Sequence, residues 1–316
     1  MTDGQGVTVI VPTLNRGAHV ADCIRDLAAQ DHRPLEILIV DQSPAPSGTL
    51  VGLASAHGDL ISYHKVPFRG LPEARNYGAQ CARYDAIIFV DDDIRCGPSL
   101  VQEHLRTLRL PGVGIVAGGI DEVHDHCGKR MRAGTFRRWT ASPLRGFSSR
   151  EEHDAQHAQG ANFSVWRQVL AAAGGFDERL NVGAALYEEL ELCLRVRKAG
   201  FRVYFKGAAR LTHLAAGDGG CRVKDLSSYV YGLAHNRAIL IRRHVPVYFW
   251  PTAVARLALL VLSYAAHYRA SKAIATGLQG FAQGWRAAPL PVKCTRFDAA
   301  DSPSGPGGLT AQPAGR

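Results

Sequence analysis

Three consecutive carboxylates, Asp91, Asp92 and Asp93, close the apolar run AIIFV in the segment FVDDDI. Side chains alternate along an extended backbone, which predicts Asp91 and Asp93 on one face of a strand and Asp92 on the other. Two carboxylates about 5.5 Å apart repel by roughly 0.8 kcal/mol in bulk water and about 3 kcal/mol at the effective dielectric of a partly buried site. A divalent cation with oxygen ligands would offset that repulsion, and the carboxyl edge of a strand is where open α/β sheets bind ligands. A solvated acidic turn is the competing reading. A second cluster, HDHC (His124–Cys127) with His153 and His157, could hold zinc, although structural zinc sites pair their ligands at tighter spacing.

The elements that must position the acids follow from hydrophobic periodicity. VTVIVP (Val7–Pro12), LEILIVD (Leu35–Asp41), ISYHKV (Ile61–Val66) and AIIFVD (Ala86–Asp91) read as strands. Val20, Cys23, Ile24 and Leu27 fall at helical spacing after the first, and Leu71–Ala82 reads as a helix with Pro72 in its first turn. Near-continuous apolar strands separated by helices imply an α/β fold with a mostly parallel central sheet covered on both faces. Gly112–Gly119 predicts a further strand, whereas residues 121–159 are polar and rich in His and Arg. Regular patterning resumes at ANFSVW and at the helical YEELELCLRVRKAG, whose Leu190, Cys193, Leu194 and Arg197 are expected on one face and whose Gly200 is a candidate cap.

The C-terminal region differs in character. Ser228–Arg243 predicts a helix, and Val245–Tyr268 is apolar and aromatic, interrupted by Pro251 and Arg256. The clean apolar run Leu257–Ala266 is too short for a bilayer core of ~30 Å, which needs about 20 residues. It reads either as a packing helix or as one lying in a membrane interface, flanked by Arg242, Arg243, Arg256 and Arg269. Residues 287–316, rich in Pro, Gly, Ala and Ser, read as a disordered tail.

Composition narrows the function classes. With 316 residues, 46% hydrophobic and 21% charged, the chain is a folded protein of one or two cores. A net charge of +9 favours anionic partners. Neither a nucleic-acid-binding zinc finger nor a single-stranded RNA signature occurs, so phosphate-bearing ligands or a membrane surface rank above nucleic acid. Seven cysteines without a CxxC pair suit a reducing cytoplasm, and the N-terminus lacks the pattern of a secretory signal. PTLNRG stands where a dinucleotide-binding GxGxxG would, no P-loop is present, and the acids lack a phosphatase-like DxDx[TV] context. Sugar-nucleotide chemistry is left.

Seven segments then become specific in combination. VTVIVPTLNR, LEILIVDQS, GLPEARNYGAQ, IIFVDDDI, GANFSVWRQVLAAAGGFDERL, YEELELCLRVRKAG and ARLTHL resemble, in order and spacing, the family 2 glycosyltransferases, over about residues 7–213. The resemblance implies the GT-A fold, a Rossmann-like nucleotide-diphospho-sugar transferase architecture, and the patterning beyond it adds a C-terminal helical extension. The expected organisation is a GT-A domain over residues 1–225, divided into a nucleotide-binding half (about 7–119) and an acceptor half (about 120–225), then a helical region over 226–286.

The same resemblance assigns roles. Pro12, Thr13 and Asn15 would hold the nucleotide base, Asp41 would accept a hydrogen bond from base or ribose, and Arg75 and Asn76 would lie beside the nucleotide. FVDDDI matches the family's DxD motif. Asp91 would serve the ribose side and the metal, Asp93 the metal, and His213 would complete the site for Mg²⁺ or Mn²⁺ bridging the donor diphosphate; Asp92 would meet Arg75 or solvent. Glu188 and Glu189 stand for an ED pair whose second acid is the general base of inverting members, although acids at a helix N-terminus are also favoured by its dipole. GGFDE, with Phe176, would approach the donor sugar, and the glycines of AAGDGG (Ala215–Gly220) would let a loop close over it. Arg130, Arg132, Arg137, Arg138 and Arg145 could face a phosphate-bearing or lipid-linked acceptor.

The expected activity is metal-dependent, inverting transfer from a UDP-, dTDP- or GDP-sugar to an acceptor hydroxyl. A polysaccharide precursor, a lipid-linked acceptor and a secondary metabolite all fit. Cytoplasmic location, with peripheral contact at the inner membrane face, is expected. Two departures, DQS for the commoner DDGS and EE for ED, keep open a non-catalytic sugar-nucleotide or partner-binding protein of the same fold. A nucleotidylyltransferase would want a GxGTR-like loop, which is absent.

Overall fold

The structure, a computed structural model, describes residues 4–16, 18–123, 132–144, 146–217, 219–220 and 223–295. The zinc reading of His124–Cys127, Arg130, Arg145 and the tail beyond residue 295 therefore lie outside the described residues. The first half of the chain runs β1 (Val7–Thr13), α1 (Ala18–Ala28), β2 (Leu35–Asp41), α2 (Gly48–Ala56), β3 (Ile61–Lys65), α3 (Leu71–Cys81), β4 (Ala86–Val90), β5 (Ile94–Cys96), α4 (Leu100–Leu108) and β6 (Val113–Glu122). It continues with β7 (Thr135–Arg137), β8 (Ser142–Leu144), β9 (Glu152–Ala155), β10 (Asn162–Trp166), α5 (Arg167–Ala172), α6 (Glu188–Lys198) and β11 (Arg202–His213). Three helices, α7 (Leu226–His244), α8 (Trp250–His267) and α9 (Lys272–Ala287), follow.

One sheet in the order β3-β2-β1-β4-β10-β6-β11-β5 carries the fold, with β9 also paired to β11. β1, β2, β3 and β4 are mutually parallel, as expected of strands joined by helical crossovers. β10 lies antiparallel between β4 and β6 and joins this parallel half to the second half. Every residue of β1, β2 and β4 is buried, because helices cover both faces.

β4 ends at Val90, one residue short of its expected end, so the three acids occupy a bend rather than a strand. The chain turns there into β5, which pairs antiparallel with the end of β11 in the register His213↔Ile94. Strand alternation therefore does not set the directions of Asp91, Asp92 and Asp93. The β5–β11 pairing does, and it sets His213 beside Asp93.

α6 buries Leu190, Leu192, Cys193, Leu194 and Val196. Arg197, expected on that face, shares its angular sector but is exposed, because it lies in the last turn of a helix that ends at Lys198. Gly200 follows the helix at φ 92°, the left-handed conformation that stops it. The fully buried Glu191 ties α6 to α7 through Arg195 (2.7 Å), Arg243 (2.9 Å) and His244 (3.1 Å). Burial opposes the charge on Glu191, but Arg195, His244 and Arg243 outweigh it and hold the carboxyl well below the usual range. Burial also lowers the pKa of His244, against the pull of Glu191. The native junction thus keeps Glu191 ionised and His244 neutral.

The unfolded chain takes up protons on His near pH ~6.5 and on Glu near ~4.3, before the native state does, so stability should fall as pH drops through each value. A urea midpoint that declines from neutral pH downward is expected. One that stays flat down to about pH 4 would count against this linkage.

α9 lies close on α7 because Gly280 and Gly284 face the carbonyls of Tyr231 and His235, where a Cβ would overlap backbone. α8 buries Ala253, Leu257, Val261 and Ala265, spaced four apart, in a second apolar cluster shared with α7 and α6. The stretch Val247–His267, 21 residues, is long and apolar enough by length and composition to cross a membrane. The limit drawn from Leu257–Ala266 alone is therefore too tight, because the helix continues through Trp250 and Val254 on the far side of Arg256.

Candidate active site

A pocket of ≈ 230 Å³ opens at the carboxyl ends of β1 and β4. Pro12, Thr13, Asp91, Asp92, Asp93 and His213 line it together with Leu14, Arg16, Gln42, Leu71, Ala184 and Gly220. Two of the acids converge on an imidazole. His213 Nε2 lies 3.2 Å from Asp93 and 3.8 Å from Asp91, and one ligand atom from each of the three falls within 4.8 Å of the others. Among the described residues this is the group of His, Cys, Asp and Glu side chains close enough to share an ion. Two carboxylates and an imidazole suit Mn²⁺, and Mg²⁺ less well because it prefers oxygen donors throughout.

The site's own cations balance the acids. Burial opposes ionisation of Asp93, but the hydrogen bond and charge of His213, with Arg16, hold its carboxyl down at about 2. Burial likewise opposes a proton on His213, but the hydrogen bond to Asp93 and the charges of Asp91 and Asp93 outweigh it and raise the imidazole's pKa. Asp92 points away from this pair. It accepts from Thr13 Oγ1 (2.7 Å) and Arg16 Nε (2.9 Å), while burial pushes it up to about 7. Its expected partner was Arg75 or solvent; the bend after Val90 turns it toward the β1 loop instead.

Arg75 is fully buried. Its guanidinium pairs with Glu188, donates to the Gly160 carbonyl (2.9 Å), lies 3.5 Å from Asp91 and sits over the rings of Phe163 and Phe176 at 5.5 and 5.7 Å. Glu188 is thereby occupied. Glu189, the next residue, is half-buried, accepts no hydrogen bond among the described residues and is near enough to Asp91 for their charges to interact.

Other candidates are placed away from the pocket lining. Asn76 is fully buried and staples α3 to the GGFDE turn through Phe176 N (2.8 Å) and Phe176 O (2.9 Å). Asp41, also fully buried, accepts from Tyr63 Oη (2.6 Å) and Ser43 N (2.8 Å). Asn15 takes φ 53° and donates its backbone N–H to Ser43 (2.9 Å), bracing the loop after β2. Phe176 is core, stacked edge-on against Phe89, and Gly175 faces Asn76 and Cys294. The GGFDE turn therefore packs inward and does not front the pocket. His153 and His157 each face a backbone carbonyl, of Ala133 and Ala158, rather than a shared ion. Arg132, Arg137 and Arg138 are exposed.

Sequence reasoning missed Arg16 and Gln42. Arg16 clamps Asp92 and Asp93 and donates to Ala216 O (3.3 Å); Gln42 accepts from Gly70 N (2.6 Å) at the pocket wall. The signal was present in PTLNR, a cation just past a strand end that faces the acids. The glycine loop after β11 is docked on the same residues: Ala216 N donates to Asp93 (2.8 Å) and Gly220 N to Leu14 O (2.9 Å).

Comparison with known proteins bears on the family and the fold. Residues 8–173 match the model of glycosyl transferase family 2. The pre-mycofactocin glycosyltransferase of Mycobacterium tuberculosis is 24% identical over 210 residues, 66% of this chain and 42% of that relative. Galactofuranosyltransferase GlfT2 of Mycolicibacterium smegmatis is 31% identical over 160 residues, 43% of this chain and 24% of that relative. The chain thus spans less than half the length of these curated relatives. The mannosyltransferase PcManGT of Pyrobaculum calidifontis, solved with GDP-Man and Mn²⁺, superposes with TM-score 0.55 at 20% identity, covering 90% of this chain and 76% of that one. TarS of S. aureus, solved with UDP-GlcNAc, gives TM-score 0.57 at 13% identity, covering 90% and 91%. The likeness to both establishes the GT-A fold.

Proposed function

The chain belongs to glycosyl transferase family 2, and on that premise we propose that it transfers a sugar, with inversion, from a nucleotide-diphosphate donor to an acceptor hydroxyl. The convergence of Asp91, Asp93 and His213 at the pocket carries the reading. These three residues would hold Mn²⁺ or Mg²⁺. When bound, such an ion supplies positive charge where the departing nucleoside diphosphate accumulates negative charge. Pro12, Thr13 and Gln42 form the wall that takes the nucleotide. Asp41, held by Tyr63 and Ser43, and Asn15 shape that wall from behind. Asn76 contributes by fixing α3. GDP-Man in one structural neighbour and UDP-GlcNAc in another support a nucleotide-sugar donor; UDP-, GDP- and dTDP-sugars are the candidates.

Glu189 is the general base. It takes the proton from the acceptor hydroxyl as that oxygen attacks the anomeric carbon opposite the leaving group. Its neighbour Glu188 is neutralised by Arg75, so the two acids at the start of α6 divide into one positioning and one reacting group. The acceptor is a hydroxyl compound, lipid-linked or soluble. We assign the enzyme to the cytoplasm, where the thiols of Cys23, Cys81, Cys96, Cys193 and Cys294 stay reduced.

A donor screen tests the proposal: hydrolysis and transfer from each nucleotide sugar, with Mn²⁺ and with EDTA. Glu189→Gln keeps size and removes the base, and should lower kcat by roughly 10²–10⁴-fold with nucleotide affinity unchanged. Donor binding without metal-dependent turnover, or full activity in Glu189→Gln, would overturn it.

A further inference from the structure

The C-terminal helices carry a charge pattern that sugar transfer does not use. Between Asp225 and Asp298 the sequence has no acidic residue, while it has nine Lys or Arg. Arg237 and Arg243 are spent internally, the first on the Ala141 carbonyl and the second on Asp177 and Glu191. Arg256, Arg269, Lys272 and Arg286 are exposed.

Beside these cations, and flanked by the exposed polar Ser263, His267, Gln279 and Gln283, runs an open apolar stripe. Ala255, Leu259, Leu262 and Ala266 recur at i, i+4, i+7 and i+11 on α8, and Ile274, Leu278 and Ala282 at i, i+4 and i+8 on α9. Leu259 is 60% exposed and Leu278 68%. Tyr248 and Tyr268, at 71% and 58%, stand at the two ends of α8. Beside them an apolar groove of ≈ 620 Å³ is lined by Val247, Trp250, Val254, Phe281 and Trp285, with Arg286.

We propose that this outward face of α8 and α9 docks the enzyme on an anionic phospholipid bilayer, in the plane of the interface. Leucine and isoleucine side chains enter the headgroup–acyl boundary, tyrosine and tryptophan occupy the headgroup level, and the four exposed cations meet lipid phosphates. Two alternatives are disfavoured on the same observations. A second copy of the chain would set one basic face against another. A spanning α8 would have to leave the packing of Ala253, Leu257, Val261 and Ala265, and carry Arg256 into hydrocarbon. The inference is independent of the donor and the catalytic base.

Flotation of the full chain with vesicles tests it, using phosphatidylcholine alone and phosphatidylcholine mixed with phosphatidylglycerol. Binding to the mixed vesicles is expected at about 0.1 M NaCl and should weaken at about 1 M, as the Debye length falls from ~10 to ~3 Å. Arg256→Gln with Lys272→Gln should reduce partitioning roughly 25-fold, about fivefold for each cation. Leu259→Glu with Leu278→Glu, both at exposed positions, should abolish it while circular dichroism and donor hydrolysis stay unchanged. Equal binding to neutral vesicles, absence of vesicle binding, or resistance to alkaline carbonate extraction in the manner of a spanning protein would each overturn the proposal.

Discussion

Asp93→Asn is expected to remove Mn²⁺ binding at the pocket and to lower sugar transfer by about three orders of magnitude, several kcal/mol of transition-state stabilisation. Asp93 is the hub of the site. Its carboxylate faces His213 (3.2 Å) and Arg16 (3.1 Å) and accepts the Ala216 amide (2.8 Å). Asparagine keeps the shape and one acceptor, so the amide contact can survive. The charge that draws a divalent ion between Asp91 and His213 cannot. Titration calorimetry with Mn²⁺, paired with transfer assays, reads both effects. Retention of metal-dependent transfer at half the wild-type rate would be incompatible with the proposed site.

The second large effect is on stability. Arg75→Met should destabilise the protein by about 3–5 kcal/mol, because it leaves Glu188 buried without its partner. Adding Glu188→Leu should restore most of the loss, since a buried ion pair replaced by apolar side chains of similar volume is often close to neutral. The four-member cycle, measured by urea unfolding, separates the pair's mutual interaction from the penalty of an orphaned charge. A single variant within 1 kcal/mol of wild type, or a double variant as unstable as the single, would contradict the assigned contact. The cycle also bears on catalysis. Arg75 fixes Glu188, the residue before Glu189, and lies 3.5 Å from Asp91, so the double variant can be stable and still misplace the proposed base and one carboxylate of the proposed metal site.

Much of the site is legible in the sequence. The residues at strand ends, Pro12, Thr13, Asp91 and Asp93, line the pocket because strand termini are marked locally by the end of an apolar run. Asn76 and Asp41 were legible as members of motifs but not as buried braces, since a polar side chain next to an active site and one inside a wall give the same letters. Arg16 went unread for the opposite reason: it belongs to no catalytic motif, and its importance lies in the acids it faces across 76 and 77 positions of chain.

Periodicity and composition alone determined the α/β alternation, the location of the acidic triad at the end of β4 and the acid-free, apolar character of the C-terminal helices. Each depends on neighbours within a few turns or residues. Tertiary structure decided that His213 meets Asp93, that Arg75 takes Glu188 and leaves Glu189 open, and that the triad sits in a bend with Asp92 turned toward Arg16. Those contacts join residues 76 to 120 apart, and they exist only because the β5–β11 register and the docking of α3 on the Phe176 turn close loops whose ends carry no local sign of one another.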